Sequence, residues 1–237
     1  MQQDIRISTL LLAMSVSMAF VGSAGCLDGG DSGEVTLDLG DIRAKGGYVE
    51  IETTVSGPED TYTVNLSAPD GNISDTGYVT GDNMSGGSQT LWLKMGGLNE
   101  NPASGQYQVT VKEYSGEEVL AQGTSEYSGP SLQIEGAEFT WTQEESKYVS
   151  DNGSVTLSSM GDPGLIASVS VQMGGNTSTV DFTSEGIAQS VDSDESLTLS
   201  SPDFILVLDS GSYQATVEIL DNGGSIMTSD SVQVQVP

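Results

Sequence analysis

One stretch constrains this chain more than any other: Leu208-Asp209-Ser210-Gly211-Ser212-Tyr213-Gln214-Ala215-Thr216-Val217. Asp209, Ser210 and Gly211 are turn formers, and Tyr213, Ala215 and Val217 then alternate with polar residues. That pattern is a tight corner feeding a half-buried strand. A close copy stands 106 residues earlier, Ser104-Gly105-Gln106-Tyr107-Gln108-Val109-Thr110-Val111. The same offset aligns Val49 with Val155, Leu91 with Leu197 and Leu93 with Leu199. One offset shared by several strands predicts a duplicated unit of about a hundred residues, the size of an ordinary β-sandwich.

The corner resembles the Asp-x-Gly-x-Tyr-x-Cys signature of immunoglobulin domains, with Tyr107 and Tyr213 in the place of its tyrosine. The resemblance implies that each hydroxyl bonds back to upstream backbone and pins the chain as it enters a strand. The cysteine position holds Val109 in one copy and Ala215 in the other, so the family's inter-sheet disulfide is absent, and the first copy has Ala103 in place of the Asp. Ser196-Leu197-Thr198-Leu199-Ser200-Ser201 is similar to the fifth strand of that family. The expected fold is all-β: two tandem antiparallel Ig-like β-sandwiches after an N-terminal signal or anchor segment. A fold of this kind hosts many unrelated functions.

The 237-residue chain has 34 acidic and 6 basic residues, no His and a formal net charge of −28. Nucleic acid and anionic membrane surfaces repel such a surface, so no nucleic-acid partner is expected. Self-repulsion also strains a compact fold at low salt, and salt screens it over about 3 Å at 1 M. The composition resembles secreted proteins of halophilic archaea, and an acidic surface protein of a marine archaeon or bacterium is the alternative.

Residues 1–25 read as a secretory signal: Arg6 near the start, an uncharged and largely apolar run from Ile7 to Phe20, then the small residues Gly22-Ser23-Ala24-Gly25. Cys26, the only cysteine, follows at once. Ser23-Ala24-Gly25-Cys26 resembles a lipobox, which implies lipidation of Cys26 and cleavage before it. An uncleaved membrane anchor is the alternative, since the apolar run is near the minimum length to span. Either way the chain is expected on the extracellular face of the cytoplasmic membrane, with two acyl chains making a lipid anchor stable. Residues 26–34, rich in Gly and acids, form a flexible tether.

The first module is expected over residues 35–127 and the second over 132–237, with Ser128-Gly129-Pro130-Ser131 as the linker. Within each, apolar–polar alternation recurs every 10 to 15 residues, broken by Gly, Pro, Asn and Asp. In the first, strands are expected at Val35–Leu39, Val49–Val55, Tyr62–Leu66, Gln89–Met95, Tyr107–Lys112 and Val119–Ser125. In the second, Leu132 to Trp141 reads as a strand pair or a single bent strand. Phe204-Ile205-Leu206-Val207-Leu208 is apolar at every position, which predicts a strand buried on both faces or a sticky edge.

Without His there is no imidazole base, His-activated nucleophile or His-ligated metal, so no enzymatic activity is expected. With 34 acids, a carboxylate pair suited to glycoside hydrolysis carries no information. Asp192-Ser193-Asp194-Glu195 spaces oxygen ligands as calcium loops do, with Asp181 as a helper, but lacks the EF-hand glycine and distal Glu. Calcium is the one cofactor left open there, against a solvated acidic loop. Five of eight Asn stand in Asn-x-Ser/Thr sequons: Asn65, Asn72, Asn83, Asn152 and Asn176. Asn72, Asn83 and Asn152 are expected in loops and Asn65 in a strand. Trp92 is out of phase with Leu91 and Leu93, so it faces outward as a contact for a protein or glycan partner, or is covered by the neighbouring module. The function read from the sequence is a non-enzymatic, membrane-anchored surface lipoprotein acting in adhesion or envelope assembly. The alternative is a ligand-binding accessory lipoprotein of a transporter or secreted complex.

Overall fold

The chain enters its first strands through simple alternation. In Tyr48–Ser56, Val49, Ile51, Thr53 and Val55 are fully buried while the residues between them face outward. The computed structural model describes residues 33–84 and 87–237. The leader, Cys26 and all of the tether but Gly33 and Glu34 lie outside the described residues.

The first module has seven strands: β1 Thr36–Lys45, β2 Tyr48–Ser56, β3 Tyr62–Ser67, β4 Ile73–Val79, β5 Ser88–Lys94, β6 Gly105–Glu113 and β7 Val119–Tyr127. They form two antiparallel sheets, ordered β1-β2-β5 and β4-β3-β6-β7. Val49, Ile51 and Val55 from one sheet meet Val64, Leu66, Val109 and Val111 from the other in a single core. In the constant-type immunoglobulin arrangement the fourth strand joins the first, second and fifth. Here β4 pairs with β3 instead.

The second module repeats that order with insertions. Its strands are β8 Leu132–Glu144, β9 Lys147–Ser159, β10 Gly164–Ile166, β11 Ser168–Met173, β12 Asn176–Asp181, β13 Gln189–Val191, β14 Ser196–Ser201, β15 Val207–Leu208, β16 Gly211–Leu220 and β17 Ile226–Val236. One sheet sets β8, β14 and β15 against β9, and the other runs β12-β11-β16-β17. Leu132 to Trp141 belongs to one strand, β8, bent by register shifts at Ile134/Gly136 and Thr140/Trp141. Bulges of this kind kink a strand without ending it.

Both corners have the geometry of pinned turns. Tyr107 donates its hydroxyl proton to the Ala103 carbonyl and Tyr213 to the Asp209 carbonyl, each at 3.1 Å. The acceptor is backbone, so Ala103 serves as well as an aspartate. Gly105 and Gly211 have φ of 139° and 150°, values that L side chains rarely adopt. Tyr62 makes a third such bond, to Pro58 at 3.0 Å.

Three expectations are corrected. The offset of 106 does not hold through the fifth strand: Ile51 faces Leu93, but Leu157 faces Leu197. The pairing has slipped by two residues, which keeps the same side chains inward because the strand period is two. The segment Phe204–Leu208 is not buried on both faces. Phe204, Leu206 and Leu208 enter the core, while Ile205 and Val207 are 58% and 43% exposed. It is mostly irregular, held on one side by Ser150, which donates to Phe204 O and accepts from Leu206 N–H, and on the other by Ser178 and Asn176. Finally, Asn152 lies inside β9, opposite Thr140, and not in a loop.

The two modules meet through a small ribbon, β10 paired with β13. Successive residues of a strand point to opposite faces. Leu165 accordingly enters the first module's core and Ile166 the second's. Ala188 and Val191 divide in the same way. Two asparagines of the first module grip this ribbon. Asn101 Oδ1 accepts from Leu165 N–H at 2.7 Å, and its Nδ2 donates to Leu165 O at 2.9 Å. Asn99 Oδ1 accepts from Ala188 N–H at 2.8 Å, and its Nδ2 donates to Gly186 O at 2.6 Å. Asn99 has φ of 61°, a left-handed conformation that Asn tolerates better than most residues. Tyr127 ends β7 fully buried, its hydroxyl donating to Pro163 O at 3.0 Å. The described residues accordingly belong to one compact unit.

Candidate functional site

Beside this junction runs an open groove of about 620 Å³, walled by both modules. Asp41, Arg43 and Trp92 come from the first, and Asp162, Asp192 and Ser193 from the second. Asp41 sits where β1 shifts register against β2, between Leu39 and Ile42. The shift breaks the strand's alternation and re-aims its side chains, as bulges do.

Trp92 does face outward from β5, opposite Glu52, while Leu93 is buried in the core. It is half-buried, and what covers it is Arg43 of the same module, whose guanidinium carbon lies 3.5 Å from the centroid of the ring. Arg43 is itself fixed by Glu50 on β2, with Nη2 at 2.9 Å and Nε at 3.1 Å from one carboxylate oxygen. Glu50 is only 13% exposed on its side chain. The indole is thus held in one orientation by a three-member chain across three strands. Lys94 repeats the motif one row on, its ammonium 4.0 Å from the centre of the Tyr48 ring.

The carboxylates of the groove are partly engaged. Asp162 Oδ2 accepts from Ser128 N–H at 2.6 Å, and Asp192 Oδ1 accepts from Ala44 N–H at 3.4 Å. Both bonds cross from one module or the linker to the other. Tyr127, behind Pro163, has its phenol pKa pushed well up, first by burial and then by the charge of Asp162 and by Tyr107.

The other residues singled out from the sequence scatter. Glu195 Oε2 accepts from Asp192 N–H at 3.0 Å, Asp194 has φ of 56°, and Asp181 accepts from Thr183 N–H at 2.7 Å. Among the described residues no three Asp, Glu or Cys side chains converge on a point that would hold a metal ion. Asn65 lies in β3 and accepts from Thr76 Oγ1 at 2.9 Å. Asn72 is exposed in the turn after β3, where its backbone N–H and then its side-chain amide donate to Asp70 and hold that carboxyl below its usual pKa. Asn83 donates to Thr80 Oγ1 at 2.8 Å, and Asn176, at the start of β12, donates to Val207 O at 3.1 Å. Tyr107 and Tyr213 remain corner residues. Arg43 and Asp41 were missed by sequence reasoning. The available signals were the scarcity of basic residues and the Gly40-Asp41 break in the alternation of β1.

Strand order and corners define the class, tandem antiparallel β-sandwiches of the immunoglobulin type. No family model matches the chain, and no curated protein matches it. Solved structures are similar at a distance. A segment of two fibronectin type III domains from chicken tenascin has 15% identity and a TM-score of 0.34, over 87% of this chain and 100% of that one. The BSP domain of a biofilm associated protein has 14% and 0.28, over 83% and 29%. A GH2 beta-galacturonidase from Eisenbergiella tayi has 12% and 0.32, over 85% and 35%. At these values none assigns a family, an activity or a ligand, and the class rests on the strand order itself.

Proposed function

We propose that this chain is a lipid-anchored, non-enzymatic surface protein whose two sandwiches work as one interaction and assembly module outside the cell. The observation that carries this reading is the junction. Leu165 and Ala188 of the second module are buried in the first module's core, and Asn99 and Asn101 hold the ribbon that bears them. Tandem modules of one chain ordinarily move relative to one another. Fixing two together suits a protein that presents a surface or bears load. The apolar run ending at the chain's only cysteine supports the anchor, and the excess of 34 acidic over 6 basic residues suits folding in brine. The groove shared by both modules favours a second reading, a ligand-binding accessory lipoprotein.

The test is the intact mass of the native protein extracted from membranes with detergent. Residues 26–237 plus a lipid is the expected result. The mass of the uncut chain would remove the lipoprotein reading and leave residues 7–26 as a membrane span.

A further inference from the structure

We infer that Asn152 carries an N-linked glycan in the native protein and that Asn176, in an equally complete sequon, does not. The inference rests on the extracellular address proposed above, though not on the lipid. Asn152-Gly153-Ser154 is an Asn-x-Ser sequon lying within β9. Successive residues of a strand point to opposite faces, so its Asn and Ser share one face and its middle residue takes the other. Gly153 decides which is which. A Cβ there would lie 2.7 Å from the Phe139 ring and 2.8 Å from Phe204, and Phe204 is fully buried in the second core. Asn152 and Ser154 therefore both point outward. Asn152 is exposed, and so are the cross-strand neighbours of the pair, Thr140, Glu138 and Ser200. A glycan attached here displaces no packed side chain.

Access to the amide separates this sequon from the others. The Asn152 side chain bonds to no described residue, and its backbone carbonyl takes the Thr140 hydroxyl at 3.5 Å. The side chains of Asn65, Asn72 and Asn83 are tied to Thr76, Asp70 and Thr80. Asn176 is the sharpest contrast. Its Nδ2 donates to Val207 O at 3.1 Å. The hydroxyl of Ser178, the serine of the same sequon and 7% exposed, donates to Asp203 O and accepts from Ile205 N–H. Both ends of that sequon hold the segment 203–208 in place, and a sugar on Asn176 would push it off.

The reaction is a glycosyl transfer made by a separate transferase, with an oligosaccharide carried on a lipid phosphate as the donor class. The Asn152 Nδ2 attacks the anomeric carbon and an N–C bond forms. The C–O bond to phosphate breaks, the lipid phosphate leaves with the electron pair, and one amide proton passes to a base of the transferase. Recognition of the acceptor uses the Ser154 hydroxyl, two residues on and on the same face.

The experiment uses the native protein from its own cells, digested and read by peptide mass spectrometry, beside Asn152→Gln, Ser154→Ala and Ser154→Thr variants made in the same cells. The expected result is a sugar-sized mass increment on the Asn152 peptide and none on the Asn176 peptide. Asn152→Gln and Ser154→Ala should abolish the increment and Ser154→Thr should keep it, with unfolding midpoints close to the parent's because both positions face outward. On the intact chain the increment comes in addition to the lipid. The inference is overturned if the Asn152 peptide is unshifted, if Ser154→Ala retains the increment, or if Asn176 is occupied to the same degree. Protease added to whole cells separates the two readings. An unshifted chain that is cut from outside sinks the glycan alone, and an unshifted chain that is protected sinks the extracellular address with it.

Discussion

Tyr107 and Tyr213 make the same 3.1 Å hydrogen bond to the carbonyl four residues back, but Tyr107 is buried and Tyr213 is half-exposed. The contrast extends through the two sandwiches. The second fills its core from its own residues, with Phe139, Phe182 and Phe204 packed ring against ring. The first packs Tyr107 edge-on against Tyr127 and completes its core with Leu165 and Ala188 from its neighbour. They also close their open sides differently. In the first, Asp75 of β4 accepts from the Lys94 N–H at 2.8 Å and Ser74 donates to Lys94 O at 3.0 Å. In the second, the segment 203–208 fills that place, held by Ser150 and Ser178. A duplicated strand order therefore leaves two modules of unequal independence: the first needs the second.

The largest expected effect separates them directly. Leu165→Ala should cost about 2–5 kcal/mol, as for other buried leucines. Because Leu165 is 1% exposed inside the first core, hydrogen exchange should show β6 and β7 losing protection before β16 and β17. Leu157→Ala, in the second core, should reverse that order. Equal loss in both modules from either variant would show that they unfold as one and end the comparison.

High pH should act on the first module's side of the junction. The folded-state pKa of Tyr127 is raised above 10.0, so the stability it contributes is complete below pH 10 and is lost as pH rises further. Denaturant titrations at increasing pH should show Tyr127→Phe removing part of the alkaline fall. Tyr107 and Tyr62, also raised by burial, should account for more of it. A fall as steep in Tyr127→Phe as in the parent would refute the assignment.

Asn101→Ala leaves the N–H and C=O of Leu165 without partners, at a cost of about 1–3 kcal/mol. Faster amide exchange at residues 164–166 would accompany it. An unchanged unfolding midpoint would mean that the ribbon holds without its clasp. The smallest contrast is at the corners. Tyr107→Phe should cost about 1 kcal/mol, and Tyr213→Phe less, because water can replace the more exposed bond. Matched denaturation curves of the two variants would decide it, and equal costs would show that burial does not set the value of this bond.

Several strands were legible in the sequence because one face is buried and one is wet. β2, β3 and β6 alternate cleanly, and the turn residues between them end each run. β4 was not legible: Ile73-Ser74-Asp75-Thr76-Gly77-Tyr78-Val79 leaves Ile73 and Tyr78 exposed and puts a glycine where Leu91 fills the space. Nor was β10, whose consecutive residues Gly164-Leu165-Ile166 are all buried, because each side of the ribbon faces a different core. Of the candidate groove, Trp92 announced itself through its phase between two leucines and Asp192 through its spacing in an acidic loop, while Asp41, Arg43 and Asp162 did not.

The sequence alone determined the duplicated corner, the all-β sandwich class and the acidic surface. Each depends on local chemistry: the φ demanded of a glycine, the period of a strand, a sum of charges. Tertiary structure decided which core Leu165 serves, that Arg43 lies on Trp92, and that the fifth strand slips by two residues between copies. Those outcomes join residues far apart in the chain. A period of two permits any even register, so only the packing of both faces could choose among them.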